Sequence, residues 1–117
     1  MFNDKWIYEL KGVVQKNRWI NTDGRWYVVD GAGHMITGWF KNGDDWYFMN
    51  TDGAMLSGQW IDIADESYYL TKSGVMARSV YIKNDKKHIY HWVDEDGRYQ
   101  KKFDTESPDL KKYGLAE

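Results

Sequence analysis

The sequence has no cysteine and one proline, Pro108. Without thiols it has neither disulfides nor thiolate metal ligands to organise it. No apolar stretch approaches the roughly 20 residues that a bilayer-spanning helix requires. The opening "MFNDKWIYEL" lacks a basic segment followed by an apolar one, so no signal peptide is expected there. An excess of one charge is missing too: 16 Lys and Arg against 18 Asp and Glu give a net −2. Nucleic acids and anionic membranes call for a basic face, so neither is expected as the main partner. Catalytic signatures are equally scarce. There is no nucleophile elbow, no phosphate loop and no Ser/His/Asp constellation, which points to a binding module rather than an enzyme. The acidic turn "DEDG", Asp94 to Gly97, lacks the further oxygen positions and closing Glu of a calcium loop. His34, His88 and His91 have no paired ligand spacing. Neither a metal nor a cofactor is expected.

Aliphatic residues are modest for 117 residues. Aromatics take their place at 17%, with seven Trp and nine Tyr. Each large ring buries about 150–250 Å². Disordered chains are poor in aromatics and strongly charged. This chain is neither, and it is expected to fold at the length of one ordinary domain.

The rings recur. Aligned on Trp19, Trp39, Trp60 and Tyr81, the spacings are 20, 21 and 21. Seven residues on stand Trp26, Trp46 and Ser67; seven further, Gly33, Gly53 and Gly74; two after these, Met35, Met55 and Met76. A fourth unit, "YIKNDKKHIYHWVDEDGRYQ", carries two extra residues in its first turn. In it Tyr90, His91 and Trp92 take the places of Trp46, Tyr47 and Phe48, and Gly97 and Tyr99 those of Gly53 and Met55. The stretch before Trp19 reads as the back half of another unit, because Trp6 precedes Trp19 by the 13 residues that separate Trp26 from Trp39. Residues 1–100 are therefore read as repeats: a partial one over 6–18, then 19–38, 39–59, 60–80 and 81–100. Residues 101–117 form a tail outside the period.

A short fixed period signals an array of small supersecondary units. "WFK" and "WYFMN" have the aromatic, alternating character of strands. Between such strands, Asn42-Gly43 and Asp23-Gly24 mark hairpin turns, because Gly tolerates positive φ. A second Gly turn follows each hairpin. A lone hairpin is marginal in water, whereas stacked hairpins bury one another. The prediction is an all-β repeat solenoid of short hairpins, with Phe48 and Leu70 in its core. One turn of helix is expected in "SPDLKKYGLA".

Alternation puts Trp46 and Phe48 on one strand face and Tyr47 on the other. Trp39 and Trp46 are expected to face the same way as a cross-strand pair. Two Trp of one unit and a Tyr of the next then converge on the groove between hairpins, with a Met as floor. Three aromatic faces around a small gap suit a quaternary ammonium, which is held by ring quadrupoles at about 0.5–2 kcal/mol per ring.

"TGWFKNGDDWYFMNTDGAM", "RWINTDGRWYVVDGAGHMITGW" and "SYYLTKSGVM" strongly resemble the choline-binding repeats of streptococcal and phage cell-wall lysins. The resemblance runs from about Trp6 to Gln100, and "KKFDTESPDL" is similar to the end of a pneumococcal autolysin's binding module. It implies a left-handed superhelix of β-hairpins. It also implies choline held between consecutive hairpins, and anchoring to choline-bearing teichoic or lipoteichoic acid in the extracellular cell wall. A homodimer through the C-terminal hairpin is implied as well. Carried over, the choline-binding sets are Trp19, Trp26, Tyr47 and Met55, and then Trp39, Trp46, Tyr68 and Met76. Weaker sets involve Trp6, Tyr27 and Met35, whose first Trp position precedes Met1, and Trp60, where Ser67 replaces the second Trp and His91 the Tyr. Related repeats in glucan-binding domains and clostridial toxins share this skeleton, so carbohydrate binding by the same rings is the alternative. A structural or oligomerisation scaffold with degenerate sites is the third reading.

Overall fold

The computed structural model describes residues 6–117. It is nearly all β. The strands are β1 (Glu9–Leu10), β2 (Val13–Val14), β3 (Arg18–Thr22), β4 (Arg25–Val29), β5 (Gly38–Asn42), β6 (Asp45–Met49), β7 (Gln59–Ile63), β8 (Glu66–Leu70), β9 (Val80–Asn84), β10 (Ile89–Val93) and β11 (Gly114–Leu115). Consecutive strands pair as antiparallel hairpins, and β11 joins β9 in parallel. The single domain expected from length divides into two compact units, Met1–Leu56 and Ser57–Glu117. Repeats touch mainly their neighbours, so such chains have no one central core.

Local chemistry sets each turn. Asp23 and Gly24 both have positive φ, 54° and 77°, the type I′ pattern that matches strand twist. In the next hairpin Asn42 pairs with Asp45, so the loop residues are Gly43 and Asp44 rather than Asn42-Gly43. Gly43 has φ 64°. The third hairpin turns on Ala64 and Asp65, with φ 50° and 66°. Ala in that region carries roughly 1–2 kcal/mol of strain. The fourth loop is longer: Asn84 Oδ1 accepts from Lys86 and Lys87 N–H at 3.2 and 3.1 Å.

A two-residue loop also fixes register. Trp39 lies opposite Phe48, and Lys41 opposite Trp46. The two Trp rings share a face as the expected pair, but diagonally, with centroids 6.2 Å apart and planes at 86°. Phe48 is half-buried with its ring edge against Trp39, at 5.1 Å, whereas Leu70 is fully buried.

The connectors tie hairpins together. Asp30, Asn50 and Asp94 each accept two backbone N–H bonds through one side-chain oxygen, folding the Gly turns. This is the work of "DEDG": Asp94 is committed to the N–H groups of Asp96 and Arg98. Beyond each turn, Val29, Met49 and Leu70 form bridges with Met35, Met55 and Met76, and Val93 does so with Tyr99. Those four partners, Val29, Met49, Leu70 and Val93, are the largest fully buried side chains. One buried apolar residue thus ends the second strand of each of the four five-residue hairpins.

The tail folds back onto the last hairpin of its own unit. Tyr90 and Thr105 exchange backbone bonds of 2.8 and 3.1 Å, and Ala116 N–H donates to Tyr81 O at 2.8 Å. Gly114 fits because a Cβ there would lie 3.3 Å from Val80 Cγ1. The expected helical turn is present: Tyr113 N–H donates to Asp109 O at 2.9 Å, and the Asp109 carboxylate caps Lys111 and Lys112 N–H.

Candidate functional site

The first expected set comes together within the N-terminal unit. Trp19 on β3 and Trp26 on β4 have centroids 6.3 Å apart and planes at 82°. Tyr47 reaches Trp19 from β6 at 5.0 Å and 72°. Met55 is tied to the same place, because its N–H donates to Trp26 O at 2.8 Å. The alternation of β6 explains the arrangement: it turns Tyr47 to the face opposite Trp46 and Phe48. Trp26 remains 44% exposed, which leaves this wall open to solvent. Burial raises the Tyr47 phenol above its ordinary pKa, and the Asp45 carboxylate adds to the effect. Tyr47 therefore stays neutral and presents a ring rather than a charge.

Sequence reasoning missed Phe40. It lies directly opposite Tyr47, and its ring edge meets Trp19 at 5.5 Å. The signal was present, since an apolar residue follows the first ring in every unit: Ile20, Phe40, Ile61 and Ile82. Beside this set a cleft of about 300 Å³ is lined by Trp19 and Phe40, by the aliphatic Val28, Val29 and Ile36, and by Asn17, Arg18, Asp30 and Asn42.

The residues of the second set divide between the two units. Trp39 and Trp46 share a face of the second hairpin, where Lys41 Nζ lies 5.8 Å from the Trp46 centroid. In the other unit the Tyr68 hydroxyl takes a hydrogen bond from Arg98, which raises the guanidinium pKa further. Met76 there is buried under Gly97. Of the weaker N-terminal set, Met35 N–H donates to Trp6 O at 2.8 Å, repeating the Met55–Trp26 link, and Tyr27 is half-buried.

At Trp60 the geometry differs. Tyr99 N–H donates to Ser67 O at 2.9 Å, so the backbone link persists. The rings of Trp60, His91 and Tyr99 meet edge-on at 5.2–5.8 Å. Trp60 and Tyr99 pack on the cluster of Ala77, Ile82 and Val93. Asn84 spends its oxygen on the turn, so its Nδ2 faces His91 Nε2 at 3.1 Å. That nitrogen accepts, and His91 Nδ1–H donates to Asp104 Oδ1 at 2.9 Å. Here a polar network replaces the missing Trp wall. The link of Tyr99 to Ser67 follows the period, whereas the bonds of His91 and Tyr99 to Asp104 carried no periodic signal.

Asp104 also accepts from the Tyr99 hydroxyl at 2.7–2.8 Å. Burial, then the hydrogen bond and charge of Asp104, push the Tyr99 phenol up to about 12. Its ordinary value is about 10. A raised folded-state pKa contributes stability that is complete below the unfolded value and is lost as pH rises through the folded one. The protein is therefore expected to lose stability between about pH 10 and about pH 12. Tyr99→Phe should flatten that loss. Urea midpoints of both proteins across this window test it, and parallel curves would refute the assignment.

Two segments, residues 37–55 and 58–76, match the family model of the choline-binding type of cell wall binding repeat. The choline-binding domain of a Streptococcus pneumoniae protein is 29% identical with a TM-score of 0.61, covering 71% of this chain and 93% of that one. The pneumococcal cell-wall endolysin of phage Cp-1, solved with choline, is 31% identical with a TM-score of 0.60, covering 76% of this chain and 26% of the endolysin. Glucosyltransferase-S of Streptococcus mutans is 31% identical over 77% of this chain, which spans only 8% of that protein.

Proposed function

We propose that this chain, two segments of which match the model of a cell wall binding repeat, is a noncatalytic module that holds choline of extracellular teichoic acids in aromatic cages. The observation that carries this reading is the convergence of Trp19, Trp26 and Tyr47, with Met55 hydrogen-bonded to the Trp26 backbone. A quaternary ammonium has no N–H to donate, and ring faces with methyl contacts recognise it without a carboxylate. Further sites on one polymer-facing chain would act together, because binding at a tethered site is effectively intramolecular. A homodimer through the C-terminal hairpin would extend the same avidity.

Choline titration followed by Trp fluorescence tests the reading. The native protein is expected to show a saturable change by tens of millimolar, on the order expected for a small ligand held by a few rings. Trp26→Ala removes a half-exposed wall and should weaken this cage by roughly tenfold, with the circular dichroism of the fold retained. The absence of any saturable response in the native protein would overturn the choline reading.

The cleft beside Trp19 favours carbohydrate as the second reading. Its volume of about 300 Å³ sits at the lower end of the range for small-ligand sites. Its planar polar side chains suit hydroxyl recognition beside the rings of Trp19 and Phe40, and the glucosyltransferase relative is in keeping with this. Retention on a glucan resin that excess choline does not reverse would support it.

A further inference from the structure

The C-terminal unit contains a cavity between the last repeat and the tail. It measures about 130 Å³ and is lined by Tyr81, Trp92, Phe103 and Tyr113 alone. The last hairpin supplies two walls and the tail the other two. Trp92 sits opposite Tyr81 across the β9–β10 ladder. Phe103 arrives on the 3₁₀ turn Lys101–Phe103, and Tyr113 on the single helical turn capped by Asp109. The Thr105–Tyr90 bridge and the β11–β9 pairing hold the tail on both sides.

The rings are disposed as a corner rather than a stack. Tyr81 and Trp92 have centroids 4.9 Å apart at 60°, Trp92 and Tyr113 4.8 Å at 69°, and Tyr81 and Tyr113 6.1 Å at 78°. The three rings meet edge to face and, together with Phe103, border one shared space. The volume decides the guest. A cavity on the order of 150 Å³ takes a group the size of benzene, so this one has room for a compact headgroup and not for a chain of sugars. Lysine ammoniums already lie over two of the lining rings, with Lys102 Nζ 5.2 Å from Phe103 and Lys112 Nζ 5.2 Å from Tyr113. A bare cation would be repelled by them, whereas a guest bearing an adjoining anion would be attracted.

We propose that Tyr81, Trp92, Phe103 and Tyr113 form an additional cage, closed by the tail instead of by a following hairpin, for a quaternary ammonium that carries a phosphate. The ammonium sits among the rings, and the phosphate pairs with Lys102 and Lys112. This rests on the proposed choline reading for its ligand chemistry but not for its residues. Occupancy links both arms of the tail to β9 and β10, so the ligand also fastens the tail.

Calorimetric titration of the full chain with choline and with phosphocholine tests it, using Tyr113→Ala, Phe103→Ala, the Lys102→Ala/Lys112→Ala pair and Trp26→Ala. Tyr113→Ala and Phe103→Ala should each remove or weaken one class of site by roughly tenfold, and Tyr113→Phe should restore it. The lysine pair should abolish the preference of that class for phosphocholine over choline. If folded Tyr113→Ala and Phe103→Ala both titrate like the native protein while Trp26→Ala loses binding, this cage is overturned and the inter-hairpin reading stands. If only the tail variants lose binding, the inter-hairpin reading fails and this one stands. If the native protein binds neither ligand, both fall.

Discussion

Gly53→Ala is expected to destabilise the protein by about 2–5 kcal/mol, the sum of backbone strain and overpacking. Gly53 has φ 83°, where a side chain is strained whatever the space around it. The space is also taken: a Cβ there would clash with Met35 Sδ and lie 2.7 Å from Met35 Cγ and Cε. Gly53 closes the connector that carries Met55 to the Trp26 carbonyl. The substitution therefore pushes on the preceding repeat and loosens the tie of Met55 to Trp26 together. Gly24→Ala provides the comparison. Its φ is 77°, yet nothing lies within 4 Å of the added Cβ, so only the roughly 1–2 kcal/mol of strain applies. Urea unfolding of the two variants separates the effects. Equal losses would mean that the Met35 contact contributes nothing.

Leu70→Ala is expected to cost about 2–5 kcal/mol, the range for an aliphatic side chain deleted from a packed interior. Leu70 is 0% exposed and bridges Met76. Its unit has few other fully buried side chains to share the loss. Because small domains are stable by only about 5–15 kcal/mol, such a loss approaches the whole margin. Leu10→Ala, at a residue 50% exposed, should stay within about 0.5 kcal/mol. The denaturation midpoint of each variant decides this, and a Leu70→Ala midpoint near that of Leu10→Ala would show that the strand-end residues are not the core.

These two residues also show how far the sequence could be read. Gly53 was legible as a turn glycine because it recurs with the period. That its Cβ would strike Met35 was not, since the contact depends on how one connector lies against the previous one. Leu70 was expected in the core, but the series to which it belongs was hidden. Val29, Met49, Leu70 and Val93 differ in type, and the rings beside them dominate the pattern. The first aromatic set was legible because strand alternation and a two-residue turn leave little freedom for where Trp19, Trp26 and Tyr47 point. Phe40 went unnoticed because its position is Ile in the other three units and reads as ordinary strand. The tail lay beyond any periodic argument. Phe103, Asp104 and Tyr113 acquire partners only through a long-range fold-back onto β9 and β10.

That fold-back bears on self-association. A two-stranded ribbon normally leaves both outer ladders free, and an unpaired ladder is a template for any passing strand. Gly114 and Leu115 occupy the outer ladder of β9 beside Val80 and Tyr81. A second molecule approaching that side meets β11, an edge only two residues long with Leu115 46% exposed, in place of the five-residue edge of β9. Very short edge strands are one way proteins blunt strand pairing, so the two residues of β11 leave little ladder on which a filament could grow strand by strand.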